Sequence, residues 1–117
     1  MGLDLTLLPI EHDTNEWGFA HSMIRCNRDG ELFNAVMECE KADSGPVPDD
    51  FHTYLARGKD GDSKYGKTKT TPYGEKIRVV KVSELMPLKY LAKDYNAAAW
   101  AYLEQLPPNM RVALYWH

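Results

Sequence analysis

At 117 residues, 44% hydrophobic and 26% charged, the chain has the size and composition of one globular domain, 1–117. Three Trp, seven Tyr and three Phe exclude a wholly disordered chain. A net charge of −3 argues against a duplex-DNA binder, which presents a broad basic face.

Leu3, Leu5 and Leu7 alternate with Asp4 and Thr6, which predicts a strand over 3–8 closed by Pro9. The opening Met1-Gly2-Leu3-Asp4-Leu5-Thr6 also fits a myristoylation pattern, but the strand explains it without a lipid. Residues 10–18 are polar and turn-rich, and 19–26 read as a second strand. Asn27 and Asp29 offer N-cap oxygens and Glu31 suits a first turn. Leu32, Phe33, Val36, Met37 and Cys39 then recur at helical spacing, predicting a helix over about 29–41. The run 42–50 reads as a loop and 51–56 as a short strand.

Gly58, Gly61, Gly66, Pro72 and Gly74 predict irregular chain from 58 to 75. Residues 77–82, IRVVKV, are the best β run. Ser83 and Glu84 open a helix, with Pro87 tolerated near its start. Leu88, Leu91, Tyr95, Ala99, Tyr102 and Leu106 follow steps of three and four, predicting one helix over about 84–106 with a single apolar stripe. Pro107 and Pro108 stop it. The final run 111–117 places Val112, Leu114 and Trp116 on one face of a last strand. The expected fold is α+β: a single two-layer sandwich with a mostly antiparallel sheet and two main helices. The terminal strand is a candidate edge for a homodimer.

Charge is unevenly spread. From Arg57 to Lys81 there are eight Lys/Arg and three acids, a local +5; the remainder holds six and 14, a local −8. Within that segment Lys64, Tyr65, Lys67, Thr68, Lys69, Thr70, Tyr73 and Arg78 interleave cations, hydroxyls and rings. Phosphate recognition uses such groups: cations for charge, hydroxyls for hydrogen bonds, tyrosines for stacking on a base. The bland alternative is a solvated loop. Gly66-Lys67-Thr68 lacks the spacing of a P-loop, and Asp60-Gly61-Asp62 lacks the further oxygens of an EF-hand, so that pair reads as a turn.

No complete catalytic signature accompanies the segment. Cys26 and Cys39 stand outside any CxxC or Cys/His cluster and read as reduced, partly buried thiols. His12, His21, His52 and His117 follow no zinc spacing. His12-Asp13-Thr14 matches half of the two-histidine phosphoesterase motif, but neither His21-Ser22-Met23 nor His52-Thr53-Tyr54 completes it. The expectation leans away from an enzyme and includes neither cofactor nor metal. No apolar run approaches a membrane span and no signal peptide opens the chain, so a cytoplasmic setting without membrane contact is expected.

Across Met1–Pro9, Thr71-Pro72-Tyr73-Gly74, Trp100-Ala101-Tyr102-Leu103 and Ala113-Leu114-Tyr115-Trp116-His117, the chain resembles small proteins encoded by bacteriophages and prophages of proteobacteria. The resemblance brings no catalytic residue with it. It implies the host bacterial cytoplasm and an accessory role against a host defence. Two binding classes follow: capture of a nucleotide signal or other phosphate-bearing small molecule by the basic segment, or inhibition of a host defence protein through acidic and aromatic surface. For the second class Trp17, Trp100 and Trp116 are the candidate anchors. A small phosphoesterase is a further alternative.

Overall fold

The computed structural model describes residues 3–10, 23–49, 51, 53–59 and 62–117; over 53–59 and 62–68 it describes the backbone. The elements run β1 (Leu5–Ile10), β2 (Ile24–Arg25), α1 (Gly30–Asp43), β3 (Gly45–Pro46), β4 (Thr53–Lys59), β5 (Asp62–Thr68) and β6 (Arg78–Lys81). They continue with α2 (Val82–Leu85), a 3-10 turn (Met86–Leu91), α3 (Tyr95–Glu104) and β7 (Arg111–Trp116). Five strands form one antiparallel sheet in the order β2-β1-β7-β6-β3, while β4 and β5 pair in a two-stranded sheet of their own. The fold is α+β with an antiparallel sheet, as expected.

Alternation along the strands sends residues to two apolar layers. Leu5, Leu7, Val80, Val112, Leu114 and Trp116 join Leu32, Phe33, Val36, Leu85, Trp100 and Leu103 from the helical segments. Leu8, Ile10, Val79 and Ala113 gather with Phe51 and Ile77, and Val47 packs against them. Val112, Leu114 and Trp116 thus share one face, as the sequence pattern requires.

β7 lies at the centre of the sheet, between β1 and β6. The terminal strand is therefore not the candidate edge. The two edges are β2 and β3, each of two residues, and short edges resist strand-to-strand association. The chain ends are tied together: Asp4 N–H donates to His117 O at 2.7 Å and His117 N–H to Asp4 O at 2.9 Å.

β1 continues through Pro9 rather than ending there. The Asp4–His117 exchange fixes the phase of the β1–β7 ladder, so the odd positions of β1 turn their N–H groups away from β7. Proline's missing N–H therefore falls on the β2 side, where the described pairing stops at Leu7. Of the strand expected at 19–26, Ile24–Arg25 is observed, and residues 19–22 lie outside the described residues. The expected loop at 42–50 holds β3, which pairs with β6.

Helix α1 begins where the capping residues place it. Asp29 Oδ1 accepts from the N–H groups of Glu31 at 3.1 Å and Leu32 at 3.2 Å. The single helix expected over 84–106 is instead three pieces. Pro87 sits in the first turn of the 3-10 segment, and Asp94 adopts φ 52° and ψ −122°, which no helix tolerates. The break rotates α3 away from the predicted stripe. Its buried residues are Asn96, Ala99, Trp100 and Leu103, while Tyr95 and Tyr102 are exposed. Asn96 is satisfied within the core: its Oδ1 accepts from Asn27 N–H at 2.8 Å and its Nδ2 donates to Asn27 O at 2.9 Å.

Candidate functional site

The basic segment is two successive hairpins. The stretch expected to be irregular from 58 to 75 contains β5 and the last residues of β4. The signal was concealed because this ribbon alternates charge, hydroxyl and ring instead of apolar and polar residues. Its glycines, Gly58 and Gly66, sit within the ladder opposite Ser63 and Leu55.

Register sorts the ribbon into two sets of positions. Thr53/Thr68, Leu55/Gly66, Arg57/Lys64 and Lys59/Asp62 share one face. Tyr54/Lys67, Ala56/Tyr65 and Gly58/Ser63 share the other. Lys64 and Thr68 therefore occupy the face opposite to Tyr65 and Lys67. Two residues that sequence reasoning passed over enter here. Arg57 is the direct register partner of Lys64, and Tyr54 is the partner of Lys67, diagonal to Tyr65. Only the pairing register shows either relationship; spacing along one strand carries no trace of it.

The second hairpin follows without a gap. Ile77 N–H donates to Lys69 O at 2.9 Å, Thr70 bridges Lys76, and Thr71 N–H donates to Glu75 O at 2.7 Å. Its turn is Thr71-Pro72-Tyr73-Gly74, closed by Gly74 N–H to Thr71 O at 2.9 Å. Proline presets its own φ in the turn, and Gly74 supplies φ 84°, which a side chain would strain. The buried Thr71 hydroxyl accepts from Tyr73 N–H at 3.3 Å and stiffens the turn from within. Tyr73 is left about half exposed, at 48%.

Tyr73 is coupled electrostatically to a cation that the sequence pattern did not single out, Arg28. Arg28 is held above its ordinary pKa chiefly by its hydrogen bond to Asp4, then by the Asp4 charge, with Tyr73 contributing electrostatically. Arg28 Nε donates to Asp4 Oδ1 at 2.8 Å and Nη2 to Oδ2 at 3.1 Å, a two-pronged pair. Asp4 also meets Arg25 at 3.7 Å. Across the β1–β7 ladder, Thr6 Oγ1 and His117 Nε2 are 2.8 Å apart, and the His117 ring stands 5.4 Å from Tyr115.

The remaining candidates separate. Lys69 Nζ donates to Asp49 O at 2.6 Å, which ties the root of the second hairpin to the chain after β3. Arg78 does not join the ribbon. Its guanidinium binds Ser44 at the end of α1 and completes that helix terminus. Trp100 is wholly buried and donates from Nε1 to Leu85 O at 2.9 Å; Trp116 is 6% exposed and donates to Glu40 Oε1 at 3.0 Å. Both indoles are core groups and offer a partner almost no surface. Trp17, His12, His21 and His52 lie outside the described residues.

Two further places bear on chemistry. Burial pushes the Cys26 thiol up to about 12 and, with help from Asp43, Glu84 and Glu40, the Cys39 thiol up to about 11. Both thiols are free and remain protonated near neutrality, the opposite of an activated nucleophile. A cleft of about 270 Å³ opens between the end of α1, β3 and β6. Its rim mixes Asp43 and Glu84 with Lys81 and Arg111, so it expresses no preference for an anion. Among the described residues no helix is long and apolar enough to cross a membrane, and no cluster of His, Cys, Asp and Glu is placed to hold a metal ion. No family model matches the chain, and no curated protein or solved structure matches it.

Proposed function

We propose that the protein binds a phosphate-bearing ligand, a nucleotide, through the β4–β5 ribbon and the Thr71–Gly74 turn, without catalysing a reaction. The observation that carries this reading is the placement of Arg57 directly opposite Lys64. Like charges facing one another across a ladder are unfavourable. Among the described residues, the ribbon that holds the pair makes no ladder with the main sheet. Two-stranded ribbons are only marginally stable by themselves. A phosphate between the two cations converts the repulsion into two charge-assisted contacts. Tyr54, Tyr65 and Lys67 share the other face by register, and aromatic positions beside a cation suit a base.

With the phage resemblance, this reading becomes an accessory protein of the host bacterial cytoplasm that withdraws a nucleotide signal from a host defence. The rival reading, a protein–protein inhibitor, drew its anchors from the tryptophans, two of which are core.

Titration calorimetry and thermal melting with a panel of mono-, di- and cyclic nucleotides test the proposal. A ligand at 100 times its Kd is expected to stabilise the fold by about 2.7 kcal/mol. Arg57→Ala/Lys64→Ala is expected to abolish the shift and leave the unliganded melt unchanged or higher. No shift with any nucleotide or with inorganic polyphosphate would overturn the reading.

A further inference from the structure

The cleft between the end of α1, β3 and β6 carries unrelieved charge of both signs. Lys81 and Arg111 line it, and they stand directly opposite each other across β6 and β7. Val82 N–H donates to Met110 O at 2.9 Å, which makes the next pair along the ladder, Lys81 and Arg111, a non-hydrogen-bonded one. Side chains approach most closely at such pairs, and like charges placed there repel.

Two acids meet the same cleft from the helical side. Asp43 ends α1 and Glu84 lies in α2. Glu84 Oε1 accepts from Lys81 N–H at 2.7 Å, which fixes that carboxylate against the edge of β6. Asp43 stands at the carbonyl end of its helix, where the dipole favours a cation over an acid. Besides burial, the charges of Asp43 and Glu84 push the Cys39 thiol up, so both act on one place. Lys81 and Asp43 share the lining of the cleft, and neither makes an ion pair among the described residues. The like-charged pair on the sheet and the acid at the helix end are thus two separate electrostatic strains that open on one cavity.

We propose that this cleft binds a small zwitterion, a free amino acid, with its carboxylate between Lys81 and Arg111 and its ammonium toward Asp43 and Glu84. Such a ligand relieves both strains at once through charge-assisted contacts. A simple anion would relieve the cations and meet the acids; a simple cation would do the reverse. The volume of about 270 Å³ lies just under the range of about 300–1,000 Å³ typical of ligand pockets, which suits a small occupant. Pro46 and Val79 give the cleft an apolar wall for a side chain such as that of leucine. The cleft shares no residue with the β4–β5 ribbon, so it stands whether or not the ribbon takes a nucleotide.

Amide chemical-shift titration of the isotope-labelled protein with L-leucine to about 10 mM reads any Kd up to about 1 mM. The amides of Gly45, Val79 and Lys81 are expected to move together and to saturate. Isocaproate and isoamylamine keep the leucine side chain with one charge each, and each is expected to bind at least about tenfold more weakly. Asp43→Asn and Lys81→Gln, both at exposed positions, are each expected to weaken leucine binding at least about fivefold with the rest of the spectrum unchanged. Arg57→Ala/Lys64→Ala is expected to leave leucine binding intact. No movement of the three amides overturns the proposal. Equal binding of either one-charge analogue overturns the zwitterion. Binding that survives both cleft variants, or that is lost in the ribbon variant, overturns the cleft as its seat.

Discussion

Arg78 grips Ser44 at two points: Nε donates to the hydroxyl at 3.1 Å and Nη2 to the backbone carbonyl at 3.0 Å. Ser44 is the C-cap of α1, so the arginine brings a positive charge to the helix end where carbonyl dipoles concentrate. It also joins that helix to strand β6. The most basic residue type of the charged segment is here used for architecture.

The consequence separates stability from binding. Arg78→Ala is expected to cost about 1–2 kcal/mol in urea unfolding, the scale of lost charge-assisted hydrogen bonds to a partly buried partner. Nucleotide affinity should be unchanged at concentrations where the variant is folded. Arg57→Ala/Lys64→Ala should give the reverse pattern. Loss of binding in Arg78→Ala at full stability would return that residue to the site.

Trp100 carries the junction between α2 and α3. Its ring fills the main core, and its Nε1 satisfies the Leu85 carbonyl at the end of α2. Trp100→Ala is expected to lose about 3–5 kcal/mol, the range for removing a large buried ring. Trp100→Phe keeps much of the volume and loses one hydrogen bond to a carbonyl that, as N-cap of the 3-10 segment, keeps its internal donor, so about 0.5–1.5 kcal/mol is expected. Denaturant melts of the two variants check the order, and a Phe variant as damaging as the Ala variant would show that the hydrogen bond outweighs the packing.

Legibility of the sequence followed the burial of each element. β6 and β7 were readable because both contribute alternately to two apolar layers, β6 with a pair of valines and β7 with Val112 and two aromatic residues. α1 was readable because Asp29 caps it and its apolar residues keep one phase. The break before α3 was not readable: steps of three and four continue from Leu91 to Tyr95 across it, and no Gly or Pro marks residues 92–94. That false continuity put Tyr95 and Tyr102 in the core and left Trp100 off the stripe, the reverse of what is observed. The charge anomaly of the candidate site was plain from composition. The opposition of Arg57 and Lys64 was not, because register is a property of two strands together.

Asp94 is the described non-glycine residue with positive φ, at 52°, and its ψ of −122° lies outside the left-handed helical well. Such backbone costs on the order of 1–3 kcal/mol in a residue with a Cβ. Its side chain makes no capping hydrogen bond in return. Asp94→Gly relieves the steric cost, whereas Asp94→Ala keeps it and loses the favourable charge near the helix N-terminus. The glycine variant is expected to be more stable than the alanine variant by about 1 kcal/mol in thermal or urea unfolding. Equal stability would mean that the surrounding chain relaxes the dihedral.

Asp4 makes a pH-dependent contribution of defined sign. Its hydrogen bond from Arg28, reinforced by the charges of Arg28, Arg25 and His117 and opposed by desolvation, holds its pKa below the ordinary 3.8. A depressed carboxylate stabilises the fold above the unfolded value, and that stabilisation is lost as pH falls through the lower folded value. The loss should therefore begin near pH 3.8 and complete below it. The effect is modest, because the Arg25 and Arg28 side chains are 70% and 62% exposed and solvent screens the pair. Asp4→Asn is expected to flatten the stability profile in that acid window and to leave its neutral shape unchanged. Arg28→Ala should raise the Asp4 pKa toward 3.8, read directly by carboxyl titration in nuclear magnetic resonance. A carboxyl that titrates at the same pH in both proteins would show that Arg28 does not hold it.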